Sequence, residues 1–378
     1  MKKVLFVTTI SGFLTQFEKN DVKILRDLGC EIHYASDFET PVYEYDEEEL
    51  RSMQVITHQI SVKKSPAKFR ENADAVRELR KIIDEEGIDL VHCHNPMGGM
   101  TARMAAHKSR KHPYVVYTAH GFHFYKGAPI KNWLLYYTAE RMMSRYTDRI
   151  ITINSEDRMR AEKFPVRGVT QIHSVGVDEN RFRPIDGLRE KKRAELGVPQ
   201  DAIHVVTAAE LNDNKNQRVV IEAIAALQDT DIYYSICGKG PNREKLQALI
   251  DEKGLKNRIR LLGYRTDMEE VLQSADCFAF PSRREGLGVA AVEALLCGVP
   301  LICSDNRGTR EYAIDGKNAI VCRADHPEDF AAALKMLKER PDVRGRMSMV
   351  CRDLAKKFTL PEVNLVMREF YETVLKEL

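Results

Sequence analysis

Short β-branched and aromatic runs alternate with helix-spaced stretches along nearly the whole chain, and that alternation restricts the fold to βαβ units and parallel sheets. Lys3–Thr9, Glu31–Ser36, Leu90–His94, Tyr114–His120 and Arg149–Asn154 read as strands. Between them lie helical stretches at Gln16–Leu28, stopped by Gly29, at Pro66–Glu86, stopped by Gly87, and around 98–111 and 131–146. In Pro66–Glu86, the residues Phe69, Ala73, Val76, Leu79 and Ile83 line one face. A second series follows Pro184, with strands at Ile203–Ala208, Ile232–Cys237, Ile259–Leu262, Cys277–Pro281, Leu301–Ser304 and Ala319–Cys322. Its helices fall around 215–227, 241–253, 267–275 and 289–297, and the tail is helical near 327–340, 343–357 and 361–378. A chain of 378 residues exceeds what one core organises, so two domains are expected. The expected bounds are 1–178 and 179–360, with Gly176–Pro184 as linker. Open parallel sheets bind ligands at the carboxyl ends of their strands, so functional residues should follow strands.

A formal charge of +2 is too small to argue for a nucleic-acid partner. Met1-Lys2-Lys3 runs into Val4–Val7, too short an apolar run for a signal peptide. No stretch reaches the roughly 20 apolar residues of a membrane span. The eight cysteines form no Cys-x-x-Cys, which fits reduced, buried thiols in a cytoplasmic protein and argues against a zinc site.

The chemistry concentrates in Pro281-Ser282-Arg283-Arg284-Glu285-Gly286-Leu287-Gly288-Val289, which leads into a helix carrying Glu293. Gly286 and Gly288 let backbone approach a ligand closely. The new helix presents N–H groups and its positive dipole end, which suit a phosphate. Two carboxylates beside a phosphate must face something else. Each can accept two hydrogen bonds from a vicinal diol, which assigns Glu293 to ribose hydroxyls and Glu285 to sugar hydroxyls.

Glu285 and Glu293, with seven residues between them, resemble the EX7E motif of retaining family 4 glycosyltransferases, whose fold is GT-B. The Cys297-Gly298-Val299-Pro300 helix exit is similar to that family's. Thr118-Ala119-His120-Gly121 through Pro129 resembles bacterial exopolysaccharide and capsule members. Gly176-Val177-Asp178 through Pro184 resembles their linker, and Cys237-Gly238-Lys239-Gly240-Pro241 and Gly263-Tyr264-Arg265 resemble their nucleotide loops. The resemblance implies two Rossmann-like parallel-sheet domains facing a central cleft, with the last helix, 361–378, packing back on the first. It implies a UDP-sugar donor held by Gly12, Lys215, Gly238, Gly240, Tyr264, Arg265, Glu285, Gly286, Leu287, Gly288, Val289 and Glu293. His120, Lys215 and Glu285 are the expected catalytic residues, and Ser11, Asn95 and His120 the expected acceptor contacts. The glycine loop after the first strand, which lies over donor phosphates in such enzymes, retains only Gly12 here.

A departing diphosphate needs a metal or fixed cations. Asp229-Thr230-Asp231 invites a metal but precedes its strand, at the wrong end for a ligand, and reads as turn acids. Lys215 is the fixed cation expected, with Arg265 and Arg307 as further candidates, and no metal or other cofactor is expected. The family's glycine-arginine pair, six residues before the lysine, is replaced by Ala209 and Glu210. His92, His94 and His123 present no convincing ligand set.

Two basic clusters, Lys63, Lys64, Lys68 and Arg70, and Arg103, His107, Lys108, Arg110, Lys111 and His112, suit contact with anionic lipid at the inner face of a membrane. Trp133-Leu134-Leu135-Tyr136-Tyr137 reads as core. The expected activity is transfer of a hexose or N-acetylhexosamine from a UDP-sugar to a glycan or polyprenyl-linked saccharide. A non-catalytic partner subunit of GT-B shape and a sugar-nucleotide epimerase are the alternatives.

Overall fold

Val4, Leu5, Phe6 and Val7 have no exposed surface, as a parallel strand covered by helices on both faces requires. They form β1 (Lys3–Val7), an interior strand of a sheet that also contains β2 (Glu31–Ser36), β3 (Val55–Gln59), β4 (Leu90–His94), β5 (Tyr114–Ala119), β6 (Arg149–Thr152) and β7 (Gly168–Gln171). The strand order is β3-β2-β1-β4-β5-β6-β7, and every pairing is parallel. Helix Phe69–Glu86 turns Ala75, Val76, Leu79 and Ile83 onto this sheet, where they join Leu5, Val7, Val91 and Val115. Gly87, at φ 69°, ends that helix in the left-handed conformation that an L side chain disfavours. Truncating Leu79, which is fully buried, would cost about 2–5 kcal/mol.

The second sheet is β8 (Ile203–Ala208), β9 (Ile232–Cys237), β10 (Ile259–Gly263), β11 (Cys277–Phe280), β12 (Leu301–Ser304) and β13 (Ala319–Cys322). Its order is β10-β9-β8-β11-β12-β13, again all parallel. Val205, Val220, Ile224, Tyr234, Ile236, Phe330 and Leu334 form its core.

This is a computed structural model, and it describes residues 1–40, 47–173 and 175–378. The chain falls into two units, Met1–Val175 with Pro361–Leu378, and Gly176–Leu360. The first crossing thus comes three residues before the expected end of domain one. The reason is local: Val177 N–H donates to Phe358 O and Leu360 N–H to Val177 O, both at 2.9 Å, tying Val177 to the second unit. The terminal helix, Leu360–Glu377, buries Val363, Met367, Phe370, Tyr371 and Val374.

Several elements differ from expectation. The helix expected over 16–28 is two, Phe13–Phe17 and Lys19–Asp27, broken at Glu18. The stretch after Ile130 winds through a π-helical turn, Trp133–Tyr137. Leu134 is 71% and Leu135 63% exposed, so only part of the expected Trp133–Tyr137 core segment packs inward. Strand order reverses between β1 and β4 and between β8 and β11. Those switch points are where open sheets leave a crevice for ligands.

Candidate active site

In the C-terminal unit the switch point brings together the loops that leave β8 and β11. They are stitched by Arg283 N–H donating to Asn214 O at 2.8 Å and Asn214 Nδ2 to Arg284 O at 2.9 Å. Asn212 Oδ1 accepts the Lys215 N–H at 3.0 Å. The result places Lys215 Nζ 2.6 Å from Glu285 Oε1, with both side chains largely buried. The expected cation and the expected sugar-binding acid are therefore one ion pair.

The turn after Glu285 is held from beneath. Tyr312 donates its hydroxyl to Leu287 O at 2.9 Å, and Arg307 Nε to Glu285 O at 3.3 Å. A Cβ at Gly308 would come within 2.8 Å of both Glu285 Cβ and Leu287 O. Gly288 adopts φ 96°, and a Cβ there would meet the Phe280 ring at 2.6 Å. Helix Val289–Leu296 starts at Gly288 with no side chain capping it, so its first N–H groups remain suited to an anion. Glu293 sits one helical turn further on. Burial raises its pKa to about 7, with Arg181 opposing and Glu269 reinforcing the shift. A carboxylate held near neutrality in a crevice is a functional-site signature.

The loops expected to hold the nucleotide follow β9 and β10. Gly238 has φ 142°, and a Cβ there would lie 1.9 Å from Ala209 O. Beside it, Leu211 N–H donates to Lys239 O at 2.9 Å, and a Cβ at Gly240 would approach Leu211 O to 2.4 Å. Tyr264 is 70% exposed, with Lys239 Nζ 5.8 Å from its ring centroid, an open face on which a base could stack.

Some other expectations need correction and some stand. Arg265 does not stand free for phosphate: its guanidinium bonds Asp267 at 2.7 and 2.5 Å and Glu195 at 2.9 Å. Glu210 is exposed, and its backbone oxygen accepts from Gln217 Nε2 at 2.9 Å and from the Asn212 N–H at 3.1 Å. Asp229 and Asp231 are held by Lys338 at 2.7 and 3.1 Å at the amino end of β9, as turn acids. All eight cysteines are buried and unpaired.

In the N-terminal unit the β1–β4 switch presents histidines. His94 Nδ1 lies 3.2 Å from His120 Nε2 and 3.4 Å from Glu18 Oε1. The Phe13 ring meets His120 edge-on at 5.0 Å. Burial lowers the pKa of His120 to about 4, so the imidazole is neutral near pH 7. Behind it, Tyr371 donates to Asp21 Oδ2 at 2.7 Å and contacts His92 Nδ1 at 2.8 Å. Glu18, Asp21 and Tyr371 carry no local sequence signal. Asp21 and Tyr371 are 350 positions apart, and only the return of the terminal helix joins them.

Ser11 is fully buried, out of reach of an acceptor. Gly12 is buried at φ −76°, a conformation open to any residue, so its glycine freedom is unused. Asn95 Oδ1 accepts the Thr9 N–H at 3.2 Å and ties the first loop to β4. Arg103, counted among the surface basic residues, is buried and donates to Glu140 at 2.9 Å.

Glu18, His94 and His120 are the one group among the described residues with three metal-ligand atoms within 4.8 Å of one another. A metal on His94 Nδ1 would force the ring hydrogen onto Nε2, which is buried without a partner. An orphaned buried N–H costs about 1–3 kcal/mol, and metal-bound histidines normally satisfy that nitrogen. The site does not suit a metal.

Comparison with known proteins bears on both units. Residues 189–352 match the family model described as Glycosyl transferases group 1. Residues 3–154 match Glycosyl transferase 4-like. The chain is 35% identical over 380 residues to EpsD of Bacillus subtilis (strain 168), whose name ascribes a glycosyltransferase activity to it; the match covers 99% of this chain and 97% of that protein. It is 28% identical to the Escherichia coli UDP-Gal:alpha-D-GlcNAc-diphosphoundecaprenol alpha-1,3-galactosyltransferase, over 73% of this chain and 72% of that one. The crystal structure of Anabaena HepE in complex with UDP superposes with a TM-score of 0.80 at 18% identity, covering both chains fully. The two parallel-sheet units have the GT-B fold.

Proposed function

The chain belongs to the family 4 glycosyltransferases, and from that premise we propose that it transfers a hexose or N-acetylhexosamine from a UDP-sugar to a glycan or polyprenyl-linked saccharide, with retention and without a metal. The observation that carries this is the Lys215–Glu285 pair beside an uncapped helix at the β8–β11 switch. There the helix N–H groups and Lys215 would receive the diphosphate, stabilising charge as it develops on the leaving group. Glu285 would turn to the sugar hydroxyls and Glu293 to the ribose diol. Tyr264 would stack on the base. The E. coli relative's lipid-linked acceptor and the UDP in the Anabaena structure support the donor and acceptor classes.

His120, neutral at the end of β5, would meet a sugar hydroxyl. We also propose peripheral contact with anionic membrane on the cytoplasmic side. The helical segment from Ile130 exposes Ile130, Leu134, Leu135 and Met142, and Lys126, Lys131, Arg141 and Arg145, in or next to the same stretch of chain, are exposed too. Its single acid, Glu140, faces inward to Arg103. Apolar anchors with basic neighbours suit a lipid interface.

The test is a transfer assay with several UDP-sugars and lipid-linked saccharides, read by mass spectrometry. The proposal expects an acceptor heavier by one sugar. An isomeric nucleotide-sugar would mark an epimerase, and no turnover or donor hydrolysis with any donor would mark a non-catalytic subunit.

A further inference from the structure

His94 Nε2 is buried and has no hydrogen-bond partner. An unused imidazole lone pair there costs less than an orphaned N–H, so neutral His94 carries its hydrogen on Nδ1. That nitrogen faces His120 Nε2 at 3.2 Å and Glu18 Oε1 at 3.4 Å. The Nε2 of His120 is therefore an acceptor, and a neutral His120 must keep its own hydrogen on Nδ1. We infer that His94 and Glu18 are positioning residues that fix His120 in the Nδ1–H tautomer and aim that hydrogen outward, so that His120 recognises a hydroxyl or ether oxygen as a donor and cannot act as a base.

The surrounding hydrogens support this direction. Tyr371 gives its hydroxyl hydrogen to Asp21 Oδ2 at 2.7 Å, which makes Asp21 the acceptor. Glu18 and Asp21 share a hydrogen bond, and burial raises both acids. Glu18 therefore carries the shared proton toward Asp21, leaving Oε1 as a negative dipole end 3.4 Å from His94 Nδ1. The Tyr371 oxygen accepts from His92 Nδ1 at 2.8 Å, and His92 Nε2 accepts from the Thr118 hydroxyl at 2.7 Å. Each hydrogen then has one acceptor, with no cation required. His120 is 24% exposed at its side chain, and Nδ1 is its open nitrogen. The identity of the ligand rests on the transferase reading; the tautomer does not.

The test uses the full chain labelled with 15N-histidine, with His120→Asn to assign the signal and long-range 1H–15N correlations to read both ring nitrogens. The expected result is an amine-type shift at His120 Nδ1 and an imine-type shift at Nε2. His94→Phe removes the donor, so the His120 signals should move toward the Nε2–H form, and turnover should fall on the order of tenfold, the weight of one hydrogen bond, with donor KM little changed. His94→Gln, whose amide can donate to Nε2, should recover the tautomer and most of that loss. An Nε2–H tautomer in the unmodified chain would overturn the inference, and so would His120 signals that ignore His94→Phe. Because the shifts need no activity, they decide the tautomer even for a chain that transfers nothing.

Discussion

Lys215 Nζ and Glu285 Oε1 lie 2.6 Å apart, so the cation proposed to receive a diphosphate is paired with the acid proposed to bind the sugar. On the proposed roles, donor binding exchanges this pair for contacts with the ligand. Glu285→Gln would release Lys215. UDP should then bind several-fold more tightly, by about the worth of a partly buried ion pair, while turnover drops. Calorimetric titration with UDP checks the first half, and unchanged or weaker UDP binding would show that the pair does not restrain the lysine.

Lys215→Ala should lower kcat by about a thousandfold, the typical weight of a group that stabilises leaving-group charge. Steady-state rates at saturating donor measure it. A near-normal rate would remove Lys215 from the mechanism and shift attention to the helix N–H groups.

Glu293 has a pKa of about 7 in the folded chain against an ordinary 4.5. Raised rather than lowered, it makes the folded state bind a proton that the unfolded state releases, so its burial penalty is absent below about pH 4.5 and full above about pH 7. Glu293→Gln removes that penalty. The variant should melt a few degrees higher than the unmodified chain at pH 8, and the gap should close near pH 5. Its UDP affinity should fall, since an ionised carboxylate accepts ribose hydrogens better than an amide. A gap that is equal at both pH values would contradict the shifted titration.

Turnover should persist in excess EDTA if, as proposed, Lys215 and the helix terminus serve in place of a metal. A strict divalent-cation requirement, measured after chelation and add-back, would contradict the fixed-cation account.

Leu134→Glu with Leu135→Glu puts two acids on a face that exposes both leucines. Co-sedimentation with vesicles containing anionic lipid at low salt should drop by about tenfold or more, given a cost of a kcal/mol or so per reversed contact. Binding that is indifferent to the substitution would place any membrane contact elsewhere.

Much of the architecture could be read from the residues because both sheets are parallel and buried on two faces. β2, β4, β8, β9, β12 and β13 carry dense apolar runs, and their expected bounds match the observed ones. β3 and β7, at the sheet edge and only partly buried, lack that density and were not anticipated. The glycine turn at 286–288 announced itself because glycine there answers a steric demand, the Phe280 ring beneath Gly288. Gly12 sent the same signal without that demand. Arg265 looked available although one of its partners, Asp267, stands two residues away; the other, Glu195, reaches it only through the fold. The Glu18–His94–His120 group was illegible for the same reason: it is assembled from a helix break and two strand ends, with Asp21 and Tyr371 behind it from opposite ends of the chain.

The most direct test of the central claim is a crystal structure of the chain with UDP. The account requires the diphosphate within hydrogen-bond distance of Lys215 and the N–H groups at the start of helix Val289–Leu296, with the Glu293 carboxylate on the ribose diol and Glu285 released from Lys215. Density for UDP elsewhere, or an intact Lys215–Glu285 pair with Glu293 turned from the nucleotide, would contradict it.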